Sequence, residues 1–157
     1  MTAQFRGRHS VRLDPKGRFI LPSLLREAQK SKNQPKKFFI TNNIYKSQSY
    51  LDVFSEKEWL SFEKKISEMP SMNQDIQAFR RFYLGSAVPV SADLQGRLLI
   101  PQELREYAGL NEDLIVLGVG SKFEIWDAKK WAKFQGDVQS SYEQILATVS
   151  SFESGKK

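Results

Sequence analysis

The chain has no cysteine and a single histidine, His9, among its 157 residues. Without thiols there are no disulfides and no thiolate metal sites, which suits a reducing cytoplasm. One imidazole with no cysteine also excludes a structural zinc site. His9 falls in a strand-like alternation, the setting of a packed or half-buried ring rather than a general base. No apolar run approaches the roughly 20 residues needed to span a bilayer. The opening Met1-Thr-Ala-Gln-Phe-Arg-Gly lacks the apolar segment of a signal peptide. Phosphate-loop, nucleophile-elbow and zinc-protease motifs are all missing, and Gly118-Val-Gly120 lacks the third glycine and the following helix of a dinucleotide fingerprint. The expectation is a protein with no catalytic residues, no metal, no cofactor, no small-molecule substrate and no membrane contact.

What is present is apolar mass and positive charge. With 40% apolar residues, eleven of them Phe, the chain can bury a sizeable core, and its formal net charge of +6 favours polyanionic partners, nucleic acid above all.

One phrase occurs twice. Asp14-Pro-Lys-Gly-Arg-Phe-Ile-Leu-Pro-Ser-Leu-Leu-Arg26 returns 79 residues later as Asp93-Leu-Gln-Gly-Arg-Leu-Leu-Ile-Pro-Gln-Glu-Leu-Arg105. Asp, Gly, Arg, Pro, Leu and Arg keep their spacing, so the protein is two copies of one unit. Each half has roughly 75 residues, a size of marginal stability alone, so the two halves should pack together.

Each unit reads as a strand, a turn, a second strand and a short helix. In the first strand His9, Val11 and Leu13 face one side, with Ser10 and Arg12 on the other. Ala87-Val-Pro-Val-Ser-Ala is its counterpart, and Pro89 limits it to an edge or a strand start. Asp14 and Gly17, and again Asp93 and Gly96, hold the outer positions of a type I turn. Pro22 and Pro101 open helices expected over Ser23 to about Lys30 and over Gln102–Ala108, the latter stopped by Gly109. Strands are expected next at 37–41 and 50–54, and again at 113–117 and 122–126.

A second correspondence, now offset by 72, relates Leu51-Asp-Val-Phe-Ser-Glu-Lys-Glu-Trp59 to Phe123-Glu-Ile-Trp-Asp-Ala-Lys-Lys-Trp131, and Phe62 to Phe134. The first unit is thus seven residues longer in its middle, with loop composition at 31–36 and at Asn42-Asn43. Ser55 opens an amphipathic helix as a capping box with Glu58, placing Trp59, Phe62, Ile66 and Met69 on one face. Asp127 caps the counterpart carrying Trp131 and Phe134. Ser71 is the expected cap of a further helix with Ile76, Phe79 and Tyr83 inward and Arg80-Arg81 outward. Val138, Tyr142, Ile145, Val149 and Phe152 share helical spacing in a C-terminal helix, with a frayed tail from Ser154. The resulting division is a first unit at 5–70, a linking helix at 71–86, a second unit at 87–135, and a C-terminal helix and tail at 136–157.

The charges are unevenly placed. Arg6, Arg8, Arg12, Lys16, Arg18 and Arg26 crowd the first repeat and its lead-in. The second is nearly balanced, with Asp93, Glu103 and Glu106 against Arg97 and Arg105. If one face binds a polyanion, the first copy dominates it. Arg18 and Arg97 each come directly after a tight turn, where an arginine either pairs back with Asp14 or Asp93 or reads a ligand, and both roles can coexist. Charge clustering around Lys16 and Arg12 favours binding for Arg18; for Arg97 the two roles stand level. Asp14 and Asp93 could also be acid/base or metal-binding groups of a nuclease, but a turn-initiating Asp explains them with less.

On these residues the chain resembles the MraZ family, over roughly residues 5 to 135. The resemblance rests on Phe5-Arg6-Gly7, the doubled Asp-x-x-Gly-Arg-x-x-x-Pro-x-x-x-Arg phrase and the strand-then-Trp segments ending at Trp59 and Trp131. It implies an α+β fold of tandem AbrB/SpoVT-like β-rich units, forming a pseudo-two-fold barrel-like core with flanking helices. It further implies a ring-like homo-oligomer and a nucleoid-associated transcriptional regulator, which binds double-stranded DNA at short direct repeats upstream of its own division and cell-wall gene cluster. The family's DNA-contacting basic residues carry over to Lys16 and Arg18. Arg12 and Arg8, and less directly Arg6 and Arg97, join them through charge clustering. The competing reading is an oligomeric interaction scaffold with only non-specific DNA affinity.

Overall fold

The first strand of each unit leaves its own half of the chain and pairs with the other. The structure is a computed structural model that describes residues 5–27 and 36–154. The first unit supplies β1 (Phe5–Arg12), β2 (Arg18–Ile20), α1 (Ser23–Glu27), β3 (Lys37–Tyr45), β4 (Gln48–Ser55) and α2 (Glu56–Ser67). Helix α3 (Gln74–Phe79) runs on into one π-helical turn at Arg80–Leu84. The second unit repeats the plan as β5 (Val88–Ser91), β6 (Arg97–Leu99), α4 (Gln102–Ala108), β7 (Asp113–Gly120), β8 (Lys122–Asp127) and α5 (Ala128–Ser140), with α6 (Tyr142–Ser154) last.

Six strands form one antiparallel sheet in the order β1-β7-β8-β4-β3-β5, and β2 pairs with β6 in a separate ribbon. Exchanging the two units maps this order onto itself. β1 lies against β7 of the second unit along its whole length, and β5 lies against β3 of the first. The ribbon is centred on Phe19 opposite Leu98, the same position of the doubled phrase in both copies. The α+β class and the pseudo-two-fold of two β-rich units therefore hold, with the sheet open between its edge strands β1 and β5. Pro89 sits on β5, an edge, where its missing N–H breaks no ladder.

The alternation in the sequence explains which faces meet. Phe5, Phe19, Leu21, Leu25, Phe38, Ile40, Leu51 and Val53 of the first unit join Leu98, Ile100, Leu104, Leu114, Val116, Phe123 and Ile125 of the second in one core. Neither half has a core of its own. A second cluster of Phe54, Trp59 and Tyr83, with Phe39, Phe62 and Ala87 against it, joins β3, β4 and α2 to the π-helical turn after α3.

Several local expectations hold. Gly109 ends α4 at φ 62°, and Asp127 caps α5 through the Lys129 N–H. Ser55 accepts from the Glu58 N–H at 3.3 Å, as one half of a capping box.

Others are corrected. Asn42 and Asn43 are strand, not loop. β3 runs on to Tyr45 because the Asn43 amide donates to Asp52, and the hairpin turns at Lys46-Ser47, both at positive φ. Phe38 faces Ser55 as Leu114 faces Asp127, so the offset between units falls from 79 to 76 before β3 and to 72 after it. Three of the seven extra residues thus precede β3 and four lengthen the hairpin.

Asn73 caps α3 in place of Ser71, because its side chain accepts from both the Asp75 and Ile76 N–H groups. Arg80 does not point outward; its guanidinium donates to the Ile66 carbonyl at the end of α2, at 2.7 Å. Met69 lies beyond α2. The helix break falls at Ser141, so α5 continues through Gly136 to Ser140, and Val138 belongs to α5 rather than to α6. The expected helix beyond Glu27, the loop up to Pro35 and the tail from Gly155 lie outside the described residues.

Candidate functional site

Each Asp makes its turn in the same way. The Asp14 carbonyl accepts from the Gly17 N–H at 3.0 Å. Its Oδ1 accepts from the backbone N–H groups of Lys16 and Arg18, both at 2.9 Å. Its Oδ2 accepts from Arg18 Nε at 2.8 Å. Asp93 repeats every one of these bonds with Gly96, Gln95 and Arg97. Both carboxyls are held below the usual carboxylate value, first by the backbone N–H of the arginine four residues on. All these contacts are spent within the turn, and the described residues hold no cluster of three His, Asp or Glu side chains fit for a metal.

Gly17 and Gly96 are required by the backbone, and each leaves room for an arginine above it. Their φ values are 84° and 78°, the left-handed region. A Cβ at Gly17 would also fall 2.5 Å from the guanidinium carbon of Arg105, and one at Gly96 2.6 Å from Nη1 of Arg26. The arginine that ends each phrase therefore lies over the turn of the other copy. Backbone bonds from Leu21 to Gly96 and from Ile100 to Gly17, both 2.9 Å, tie the same crossing. Sequence reasoning missed this brace, and the signal for it is the recurrence of Arg26 and Arg105 at the end of each phrase.

The crossing sets the two turns side by side. Arg18 faces Leu99 and Ile20 faces Arg97 across the ribbon, so the two arginines are diagonal neighbours on its outer side, about 7–8 Å apart. Ile20 and Leu99 share that exposed side with them. The turns differ at Pro15 against Leu94 and at Lys16 against Gln95, and the second difference bears on the arginine. Arg97 donates through Nη2 to Gln95 at 3.1 Å, so its guanidinium is held from two directions. In the first turn that position is Lys16, an exposed second cation, and Asp14 is the sole acceptor for the Arg18 side chain among the described residues.

The remaining basic candidates lie on β1, whose even-numbered residues point outward. Arg12 is next to the turn and is paired with Glu112 at 2.7 Å and Asp113 at 3.7 Å. Its side chain is 74% exposed, a pairing of small energetic weight. Arg8 and Arg6 are exposed farther along β1, about 13 and 20 Å from Arg12 at the rise of an extended strand. Lys16, Arg18 and Arg97 thus form one group with Arg12 beside it, while Arg6 and Arg8 stand apart. His9 is half-buried on β1, as expected of a packed ring.

A second charged group was also missed from the sequence. Asp52 and Glu124, equivalent in the second correspondence, face each other across β4 and β8 on the pseudo-two-fold. Asp52 is fully buried, accepts from Asn43 and from the Tyr83 hydroxyl, and meets Lys122 Nζ at 2.7 Å. Glu124 accepts from Trp126 at 2.9 Å and lies 3.4 Å from the same Lys122. Burial pushes the Glu124 carboxyl up. The signal is the acid shared by Leu51-Asp-Val and Phe123-Glu-Ile, and the role is to join the two units.

Comparison with known proteins agrees with the doubled architecture. The family model described as MraZ protein, putative antitoxin-like, matches twice, at residues 4–82 and 83–153. The chain is 40% identical over 141 residues to the transcriptional regulator MraZ of Acetivibrio thermocellus, covering 90% of this chain and 93% of that protein. It is 36% identical over 148 residues to the transcriptional regulator MraZ of Carboxydothermus hydrogenoformans, covering 94% and 98%. With that of Pelotomaculum thermopropionicum it shares 37% over 145 residues, covering 92% and 94%. A chain built of two interlocked copies of this unit, matched by the family model in both, belongs to the MraZ family.

Proposed function

We propose that the protein is a sequence-specific DNA-binding transcriptional regulator that reads DNA with the Asp14–Arg18 turn. The observation that carries this reading is a difference between two turns built on the same hydrogen-bond set. The first presents Lys16 and Arg18 against one carboxylate, and the second presents Arg97 already held by Asp93 and Gln95. An arginine oriented at Nε by a carboxylate keeps its outer nitrogens for guanine or phosphate, and a neighbouring lysine adds a phosphate contact. The names of the relatives support the regulatory role. Lys16 and Arg18 make the principal contacts, Arg12 supports them, and Arg8 and Arg6 extend the positive strip along the backbone.

One turn offers few contacts. Affinity is gained when a ring-like homo-oligomer sets several turns on successive short direct repeats, so that each added contact is intramolecular. In keeping with the family resemblance, the repeats lie in the promoter of the protein's own division and cell-wall gene cluster, which places it on the nucleoid in the cytoplasm.

Binding to direct-repeat and shuffled duplexes across a salt series tests this. Wild type prefers the repeats and its affinity falls steeply with salt. Arg18→Ala loses about 1–3 kcal/mol of binding and relaxes the preference, and Lys16→Ala lowers the salt slope by about one. Arg97→Ala stays near wild type. Unchanged binding by Arg18→Ala, salt-independent affinity, or equal competition by shuffled duplexes would sink the reading, the last in favour of a scaffold with non-specific affinity.

A further inference from the structure

Helices α2 and α5 carry the same apolar face in the two units, yet only one of them is covered. Trp59, Phe62 and Ile66 of α2 correspond to Trp131, Phe134 and Val138 of α5 at the constant offset of 72. Trp59 is 1% and Ile66 6% exposed, whereas no residue of α5 is buried. The length of the connection to the next helix accounts for the difference. After α2 a six-residue connection, 68–73, lets α3 and its π-helical turn fold back as a roof. Phe79 and Tyr83 then rest on Phe62 at 6.1 and 5.6 Å, and Tyr83 on Trp59 at 6.0 Å. After α5 a single residue, Ser141, leads into α6. An antiparallel helix pair needs a connection of about 2–5 residues, so α6 cannot fold back on its own α5.

Both halves of the missing contact are therefore open. An apolar groove of about 610 Å³ runs along Trp131, Phe134, Val138 and Tyr142. All the described side chains of α6 are exposed, including Ile145, Leu146, Val149 and Phe152 at 36%, 48%, 57% and 72%. The apolar spacing of α6 matches that of the roof in the first unit: Tyr142, Ile145 and Val149 repeat the intervals of Ile76, Phe79 and Tyr83. Phe152 continues the series, so the four residues fall on one seam of about 3.5-residue period. Charge agrees as well, because Glu143 and Glu153 are the only charges on α6, while Lys129 and Lys133 outnumber Asp137 among the exposed charges of α5.

We propose that α6 of one copy seats on the Trp131–Phe134–Val138 face of another, supplying in trans the roof that α3 supplies in cis in the first unit. Each copy donates one helix and receives one, and α6 is the seam of the assembly. This rests on the self-association part of the proposed function and says which surfaces carry it.

The test uses the full chain. Light scattering after size exclusion gives a multi-subunit mass for wild type. The charged variants Val149→Asp with Phe152→Asp, and Trp131→Asp on the receiving face, each lower that mass at least twofold with the circular-dichroism spectrum retained. Since the chain has no cysteine, the single variants Val138→Cys and Val149→Cys can be mixed and treated with a short bismaleimide; the expected product is a cross-link joining one of each. Should the variants keep the wild-type mass, the seam is wrong while the ring stands. A lowered mass without the mixed cross-link would overturn the seat. Wild type monomeric at every concentration would overturn the seam and the ring together.

Discussion

The two turns share a backbone, a carboxylate bond set and a glycine at positive φ, and differ in two side chains, Pro15 against Leu94 and Lys16 against Gln95. The two aromatic helices share a face and differ in the length of the connection at their C-terminal ends. In both cases the duplicated part is scaffold, and what distinguishes the units is a residue or a connection outside the repeat's rigid elements. The crossed strands make this economical. Because β1 belongs to the second unit's side of the sheet and β5 to the first, the frame stays symmetric under any change that leaves the strands intact. The differences between the units fall on the turns and at the helix ends, where the proposed DNA contact and the proposed seam lie.

The largest break in the comparison is expected at the paired tryptophans. Trp59→Ala removes a side chain enclosed by Phe39, Phe54, Phe62 and Tyr83 and should cost about 3–5 kcal/mol. Trp131→Ala removes its half-exposed counterpart, which touches Trp126 and Phe134, and should cost about 1–2 kcal/mol in the unassembled chain. Urea unfolding in the Val149→Asp, Phe152→Asp background separates the two; equal losses would mean that α5 is already roofed within one chain.

How much of the structure is legible in the sequence depends on range. The Asp14 and Asp93 turns, the Gly109 stop, the Asp127 cap and the edge position of Pro89 are written within four or five residues, and each can be read locally. Residues whose partners lie farther off are not legible in this way. Asn43 reads as loop until Asp52 is placed opposite it, and Arg80 reads as surface until the end of α2 is beside it. Arg26 and Arg105 look like surface cations, although each lies over the other copy's glycine. The strand exchange itself leaves no local mark, since β1 has the same alternation whichever neighbour it pairs with. For the candidate site, charge asymmetry is legible and geometry is not: sequence clustering puts Arg6 and Arg8 with Lys16, and the extended β1 sets them apart.

The next effect is expected to be equal in both units. Gly17→Ala and Gly96→Ala each force an L-residue to φ near +80° and push a Cβ into the crossing arginine. A cost of about 1–2 kcal/mol each corresponds to roughly 2–8 °C in melting temperature for a chain of this size. Similar shifts support a symmetric frame. A loss confined to one variant would show that one crossing carries the ribbon alone.

The smallest effect tests the carboxylates that the turns share. Asp14 and Asp93 have values lowered in the folded chain, each first by the N–H of the arginine four residues on, so the unfolded chain binds protons more readily than the folded one. Their contribution to stability is therefore complete above the ordinary Asp value of roughly 3.9 and is lost as pH falls through it toward the lowered one. The double variant Asp14→Asn with Asp93→Asn never has that contribution. Its melting temperature should lie below wild type at neutral pH, and the gap should narrow as pH falls from about 5 through the ordinary Asp value toward the lowered one. Other carboxylates titrate in both proteins and cancel in the difference. A gap that stays constant over that range would mean that the turns hold their arginines by shape alone. If the gap closes, the single variants should close it alike, since both carboxyls are lowered by the same bonds. Only their DNA affinities should then differ, because Asp14 orients the arginine that has a free face and Asp93 orients one that Gln95 already holds.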